Sequence, residues 1–348
     1  GNTTLEILWT AIPAVILAVI AVPTVRTIVT TQAAAKADAL QVQVIGHQWW
    51  WEFKYPQYGV TTANELYLPI GRTVNFSLKT IDVLHSFWIP QLGGKRDLIS
   101  NHENFLWFTP DSAGVGAWNG FCGEYCGTSH TNMRFRTFTV TAADFESWAK
   151  HQASSAVFAA PTTAAPTPGA VVGSATSAPA AAPATLASVS VPPASATTDA
   201  PSTAVGSTGY VFPQDKIPAH AVPGTPIPAG LAYNESLRGD ADRGRQLLTA
   251  GQGGCLGCHM IKGNPSMLGV VGPNLTHVAS RATIAAGLFP NDTRHLARWI
   301  KNARAMKPGV TMPTLGRGEY DPVMKATLPQ GLTDEQIADI VAYLQALK

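Results

Sequence analysis

Residues Asn119–Phe135 read NGFCGEYCGTSHTNMRF, which puts Cys122, Cys126, His130 and Met133 within twelve residues. Two thiolates, an imidazole and a thioether form a soft donor set. Such donors favour copper in its lower oxidation state or zinc, and a thioether is a poor zinc ligand. A weak Met beside Cys and His on a β scaffold is the pattern of electron-transfer copper. A second imidazole is then expected from another strand end. His85, in Val83-Leu84-His85-Ser86-Phe87-Trp88, is the best candidate. The plain alternative is a Cys122–Cys126 disulfide with incidental His and Met; the coincidence of so many spaced donors weighs against it.

The surroundings of this stretch, residues 40–142, read as β. Gln41–Val44, Val74–Lys79 and Arg134–Val140 alternate with period two, and Asn104–Phe108 is a further strand. Short strands separated by Gly, Pro, Asn and Asp turns predict a sandwich or barrel. Ala143–Lys150 is a short amphipathic helix that closes the unit. Upstream, Ile7–Val25 is 19 residues without a charge, bracketed by Glu6 and Arg26. At 1.5 Å per residue it roughly spans a hydrocarbon core of about 30 Å. It lacks the basic leader of a signal peptide, and Pro13 and Pro23 are tolerated in membrane spans. Because the chain begins at Gly1, almost inside the span, an upstream segment is expected.

Downstream, residues 152–208 hold one charge (Asp199), one aromatic (Phe158) and eight prolines. Such a segment cannot bury enough apolar surface to offset its ordering entropy, which predicts a disordered linker. Its role would be to hold the next domain at roughly millimolar effective concentration. From about Tyr210 the chain reads as small helices and loops. Thr333–Gln336 is a capping box, and Ile337, Ile340, Val341, Leu344 and Leu347 follow at helical spacing.

This last region contains Cys255-Leu256-Gly257-Cys258-His259, a C-x-x-C-H motif for covalent haem attachment. Both thiols add to haem vinyl groups, and His259 supplies the proximal nitrogen. The distal ligand is expected to be a Met from a downstream loop. Met306, Met312 and Met324 are the candidates. Met312 is favoured because Lys307-Pro308-Gly309-Val310-Thr311-Met312-Pro313 has no helical continuation. The other two read as packing residues. Pro273 is expected to shape the turn supporting His259. His277 either bonds a haem propionate or is a surface loop histidine.

Composition bounds these readings. The 348 residues carry 24 Lys+Arg against 22 Asp+Glu, so no net basicity drives nucleic-acid binding. Only 13% of residues are charged, against about 25% in soluble proteins, and the apolar start and the linker account for part of the deficit. Four cysteines in two close pairs, each pair with a nearby histidine, are too few for a disulfide scaffold.

In these motifs the N-terminal part resembles subunit II of haem–copper cytochrome c oxidases: DVLHSFWIP around His85, then C-x-E-x-C-x-x-x-H-x-x-M. The resemblance implies a cupredoxin-type Greek-key barrel with a binuclear copper A centre. Cys122 and Cys126 would bridge both coppers, His85 and Met133 would complete one, and His130 with the Glu124 carbonyl the other. The Glu124 carboxylate would reach a magnesium ion shared with subunit I. Gly46-His47-Gln48-Trp49-Trp50-Trp51 resembles the family's G-H-Q-W-x-W stretch, which makes Trp49 the candidate for receiving electrons at the surface above the copper. Glu6–Pro13 is similar to the start of the family's second transmembrane helix, and Glu6 inherits a place near a proton-uptake path. Asp97–His102 departs from the Pro-Gly-Arg turn of many relatives. The C-terminal part resembles an all-α class I cytochrome c domain.

The fused order is similar to subunit II of the caa-type oxidases. It implies four parts: a transmembrane helix (1–32), the copper A domain (33–151), the linker (152–208) and the cytochrome c domain (209–348). Electrons would run from an external donor (a soluble cytochrome, another small redox protein or a quinol-oxidising complex) through haem c and copper to subunit I. There oxygen becomes water and protons are pumped; this chain would hold no oxygen-reducing site. The other partners would be further membrane subunits and the membrane, with no nucleic acid. The expected location is a bacterial cytoplasmic membrane, with both redox domains on the periplasmic or extracellular side. Rival readings are the electron-transfer subunit of a copper-containing nitric oxide reductase and a free-standing membrane-anchored electron carrier. A quinol-oxidase subunit would have lost the copper ligands that are intact here.

Overall fold

The computed structural model describes residues 1–111, 114–156 and 209–348. Helix α1 (Thr3–Gln32) is capped by Asn2, whose side chain accepts the amide of Leu5 at 3.2 Å. Its most apolar 18-residue window has a mean hydropathy of 2.4, and none of its residues is buried within the protein. An apolar helix with no protein around it requires lipid or another subunit, because about 25 cal/mol per Å² of exposed apolar surface is otherwise lost.

The barrel follows: β1 (Leu40–His47), β2 (Trp50–Tyr55), β3 (Val60–Ala63), β4 (Glu65–Pro69), β5 (Val74–Thr80), β6 (His85–Trp88), β7 (Arg96–Leu98), β8 (Asn104–Phe108), β9 (Gly116–Cys122) and β10 (Arg134–Val140). One sheet has the order β3-β2-β1-β5-β8 and the other β4-β10-β9-β6-β7. The β1–β5 and β4–β10 pairs are parallel and the rest antiparallel, so the chain crosses between sheets in Greek-key fashion. Alternation of β1 and β5 turns Val42, Val44, Phe76 and Leu78 inward. Between the sheets, Trp51 and Phe53 each lie 5.4 Å from Phe135, and Phe87 stacks on Phe135 at 5.2 Å. Each such pair contributes about 0.5–1.5 kcal/mol beyond its buried area. Helix α2 (Ala142–Ala153), capped by Thr141, closes the barrel with Phe145 and Trp148. Its last turn takes in Gln152 and Ala153, and the rest of the proposed linker, from residue 157 on, lies outside the described residues.

The C-terminal region opens with 3-10 turns whose side chains serve the barrel. Phe212 stacks on Phe138 at 4.8 Å, and Ala221 is fully buried in the barrel's core cluster. A second core then forms around α3 (Ala241–Thr249), the two-stranded ladder β11 (Thr283–Ile284) with β12 (Phe289–Pro290), α4 (Thr293–Lys301), α5 (Ala303–Met306), the ladder β13 (Tyr320–Asp321) with β14 (Ala326–Thr327), and α6 (Asp334–Ala346). The two short ladders add to the helical expectation. The capping box forms at α6, with Thr333 and Gln336 satisfying each other's backbone amides. Barrel and C-terminal domain belong to one compact unit.

Candidate functional site

The copper candidates come from three places on the barrel. His85 begins β6 and Cys122 ends β9, and the β6–β9 register sets Phe87 opposite Cys122. Cys126, His130 and Met133 lie on the loop from β9 to β10, where a 3-10 turn spans His130–Asn132. Gly127 bends this loop at φ +110, a conformation that disfavours side chains.

These side chains converge. The Sγ atoms of Cys122 and Cys126 are 3.7 Å apart, well beyond the roughly 2.05 Å of a disulfide, and both thiols are free. Cys122 Sγ lies 3.8 Å from His85 Nδ1 and 3.2 Å from the Glu124 carbonyl oxygen. Cys126 Sγ lies 3.7 Å from His130 Nδ1 and 3.8 Å from Met133 Sδ. His85 and Met133 are fully buried, and both cysteines are buried. The cysteine pair shares its proton: the hydrogen bond from Cys126 pulls the Cys122 thiol down, and the same contact together with burial pushes Cys126 up. His130 is half-buried, and sulfur, imidazole and carbonyl donors held in this way around a thiol pair fit a soft binuclear metal.

Asp82, which the motif reading passed over, organises this site. Its Oδ1 accepts from His85 Nε2 at 2.8 Å, and its Oδ2 accepts from the Gln48 amide at 2.7 Å. Burial pulls His85 down, but the Asp82 bond and the Cys122 thiol outweigh it and hold the imidazole above its ordinary value. With Nε2 engaged, Nδ1 is the atom facing Cys122. Carboxylates commonly orient ligand histidines in this way. The sequence signal was an Asp three residues before the His.

Trp49 lies beside the cluster, half-buried. Its indole N–H donates to the Cys126 carbonyl at 2.9 Å, and Gln48 Nε2 donates to the same oxygen at 2.8 Å. Trp49 faces the C-terminal domain rather than open surface. A Cβ built on Gly309 would come within 2.8 Å of its ring.

At the second constellation, Cys255 and Cys258 are free thiols in and just after a 3-10 segment, Gln252–Gly257. Nδ1 of His259 donates to the Pro273 carbonyl at 2.8 Å, which leaves Nε2 unclaimed by that bond. Burial holds His259 below its ordinary value, as suits a neutral metal ligand. Two thiols, a neutral oriented imidazole and close glycines fit a covalent haem; a Cβ on Gly272 would meet the His259 ring at 2.6 Å. Met312 is half-buried in its Pro-flanked loop, whereas Met306 is packed in the core and Met324 is 64% exposed. His277 is not a surface histidine: its Nε2 lies 3.2 Å from the Ser154 carbonyl and its ring 4.4 Å from that of His151. Glu6 sits in the first turn of α1, remote in sequence from both sites and exposed. The Asp97–His102 turn is closed by an Ile99–His102 bridge with Asn101 at φ +60.

Three family descriptions match the chain. "Cytochrome C oxidase subunit II, transmembrane domain" covers residues 1–27, its "periplasmic domain" covers 59–140, and "Cytochrome c" covers 241–348. A cytochrome c oxidase subunit 2 of Alkalihalophilus pseudofirmus is 28% identical over 355 residues, spanning 100% of this chain and 74% of the relative. That of Bacillus subtilis is 42% identical over 163 residues, 43% of this chain and 46% of the relative. A quinol oxidase subunit 2 of Bacillus subtilis is 34% identical over 154 residues, 43% of this chain and 47% of the relative. The chain thus spans about half the length of these two Bacillus relatives. Among solved structures, the periplasmic domain of subunit II of cytochrome oxidase of Bradyrhizobium japonicum is 28% identical, covering 34% of this chain and 96% of that one, with a TM-score of 0.32.

Proposed function

Because the chain belongs to the cytochrome c oxidase subunit II family and carries a cytochrome c domain fused behind its periplasmic domain, we propose that it receives electrons for a haem–copper terminal oxidase. It takes them from an external donor and delivers them to subunit I, which reduces oxygen to water and pumps protons. The observation that carries this reading is the cluster of three side-chain donors (His85, His130 and Met133) and one carbonyl (Glu124) around Cys122 and Cys126, with neighbouring contacts of 3.2–3.8 Å. When bound, the copper pair and haem c supply reversible one-electron chemistry.

The chain's own residues then have definite tasks. Cys122 and Cys126 would hold the two coppers through their thiolates. His85, Met133, His130 and the Glu124 carbonyl would complete the copper ligand set, and the Glu124 carboxylate would serve a magnesium ion shared with subunit I. Asp82 keeps the His85 ring turned so that Nδ1 faces Cys122 and would be the ligating atom. Trp49, bonded to the Cys126 carbonyl, lies on the side from which electrons arrive. Cys255 and Cys258 would hold haem c covalently, and His259 and Met312 would be its iron ligands. Glu6 lies near the mouth of a proton path in subunit I. The donor is a soluble cytochrome, another small redox protein or a quinol-oxidising complex. The assembly sits in a bacterial cytoplasmic membrane, with both redox domains on the non-cytoplasmic side.

The test is to purify the complex, measure its copper and covalent haem, and follow oxygen and nitric oxide uptake. A copper pair per chain with oxygen consumption supports the reading. Zinc, or no metal, refutes the site, and nitric oxide turnover without oxygen turnover refutes the oxidase.

A further inference from the structure

Lys307 belongs to no ligand set, yet it is only 1% exposed. It begins the loop that carries Met312 in the haem domain. Its ammonium donates to the carbonyl of Trp49 at 2.6 Å and to that of Ala285 at 3.3 Å, one acceptor from each domain. Two further contacts fasten the same loop to the copper domain. Ser129 Oγ donates to the Pro308 carbonyl at 2.5 Å, and Gly309, at φ +85, lies against the Trp49 ring. Trp49 in turn donates to the Cys126 carbonyl at 2.9 Å. A bonded path therefore runs from the Met312 loop through Trp49 to a copper-ligand residue.

A buried ammonium is costly unless its donors are satisfied. Lysines that steer transient redox partners stay hydrated at a rim, where they are worth little individually. Lys307 is dry and shared between two carbonyls across a seam, which suits a contact that stays closed. Other bonds cross the same seam. The Arg134 amide donates to the Ala286 carbonyl at 3.2 Å, and Glu65 Oε1 accepts from the Ala282 and Thr283 amides at 2.7 and 3.1 Å.

The geometry points to Lys307 as a positioning residue: it pins the Met312 loop onto Trp49, so that the haem domain is held against the copper site by a fixed joint and the linker acts only as a spacer. The consequence for electron transfer rests on the functional reading above. The joint itself does not need the metals.

The full-length chain in detergent is compared with Lys307→Met, which keeps a similar stem and removes the donors. Amide exchange is read at Arg134, Ala282 and Thr283. The joint predicts that protection there falls roughly tenfold or more, because the two buried bonds from Lys307 to Trp49 and Ala285 are lost together. Protection at core positions Phe76 and Ile340 should stay unchanged. With haem and copper loaded, flash reduction of the haem should show transfer to copper slowed by a similar factor, with both reduction potentials unmoved. Halving the linker should change neither quantity. Unchanged exchange at the seam in Lys307→Met, or a loss produced instead by halving the linker, overturns the proposal. If Lys307→Met does not fold, Ser129→Ala must loosen the same amides in the same direction, and its failure to do so overturns the proposal equally. Metal analysis without copper would sink the functional reading while leaving the exchange result standing.

Discussion

Glu65 opens β4 and is buried at the seam, 3% exposed, with its Oε1 accepting from two amides of the haem domain. Burial pushes its carboxyl up from 4.5 to about 7, outweighing the pull of Arg281, the two amides and Arg136. The same burial pushes both arginines down to about 10. For an acid whose value is raised by folding, stability is complete below the unfolded value. It is lost as pH rises from about 4.5 through about 7, because over that window the unfolded chain ionises while the folded chain keeps its proton. At about 1.36 kcal/mol per unit, this rise corresponds to about 3 kcal/mol. Glu65→Gln keeps an Oε1 acceptor for Ala282 and Thr283 and abolishes the titration. The variant should match the wild type near pH 4.5 and exceed it by about 3 kcal/mol at pH 8. Urea unfolding of the full detergent-solubilised chain, followed by tryptophan fluorescence across that range, measures the difference, and the histidines cancel between the two proteins. If Glu65→Gln is instead the less stable protein at pH 8, Arg136 and Arg281 hold the carboxylate ionised, and the claim that burial dominates is wrong.

Three further outcomes are expected. Cys126→Ser should abolish the binuclear copper signal in electron paramagnetic resonance and leave the haem c spectrum intact. Met312→Ala should remove the sulfur-to-iron charge-transfer band and lower the haem potential with the haem still attached, and an unchanged band would move the ligand to Met306 or Met324. Gly244→Ala should lower the melting temperature of the haem domain. Its Cβ would fall 2.0 Å from the Asp339 carbonyl oxygen where α3 meets α6, and overpacking of this kind costs about 1–3 kcal/mol or more.

Several elements were readable from neighbouring residues alone. The strands at Asn104–Phe108 and Arg134–Val140 have the predicted bounds, because alternation with period two is a local property. The α6 capping box and the apolar α1 are local in the same sense. So are the donor spacing of Cys122 to Met133 and the C-x-x-C-H motif, since a loop brings ligands a few residues apart together without help from the rest of the chain. β2 was hidden inside an aromatic motif. β6 and β7 are too short for any period, and β9 is diluted by Gly116, Asn119 and Gly120, which disfavour strands.

The remainder depended on contacts between distant residues. His85 meets Cys122 only because β6 pairs with β9 in one register. Asp82 counts for the site only because the imidazole beside it is buried, and among solvated residues the same i, i+3 pair would mean little. Glu65, Arg136, Arg281 and Lys307 look in the sequence like any surface charges. Folding strips their water and gives each a specific partner, so their effect follows from desolvation by chain up to 258 residues away, as between Trp49 and Lys307. The linker's composition allowed a loosely tethered domain. Whether the two domains touch was decided by the complementarity of the Trp49 face and the Met312 loop, a fit of shapes and dry hydrogen bonds that no local pattern encodes.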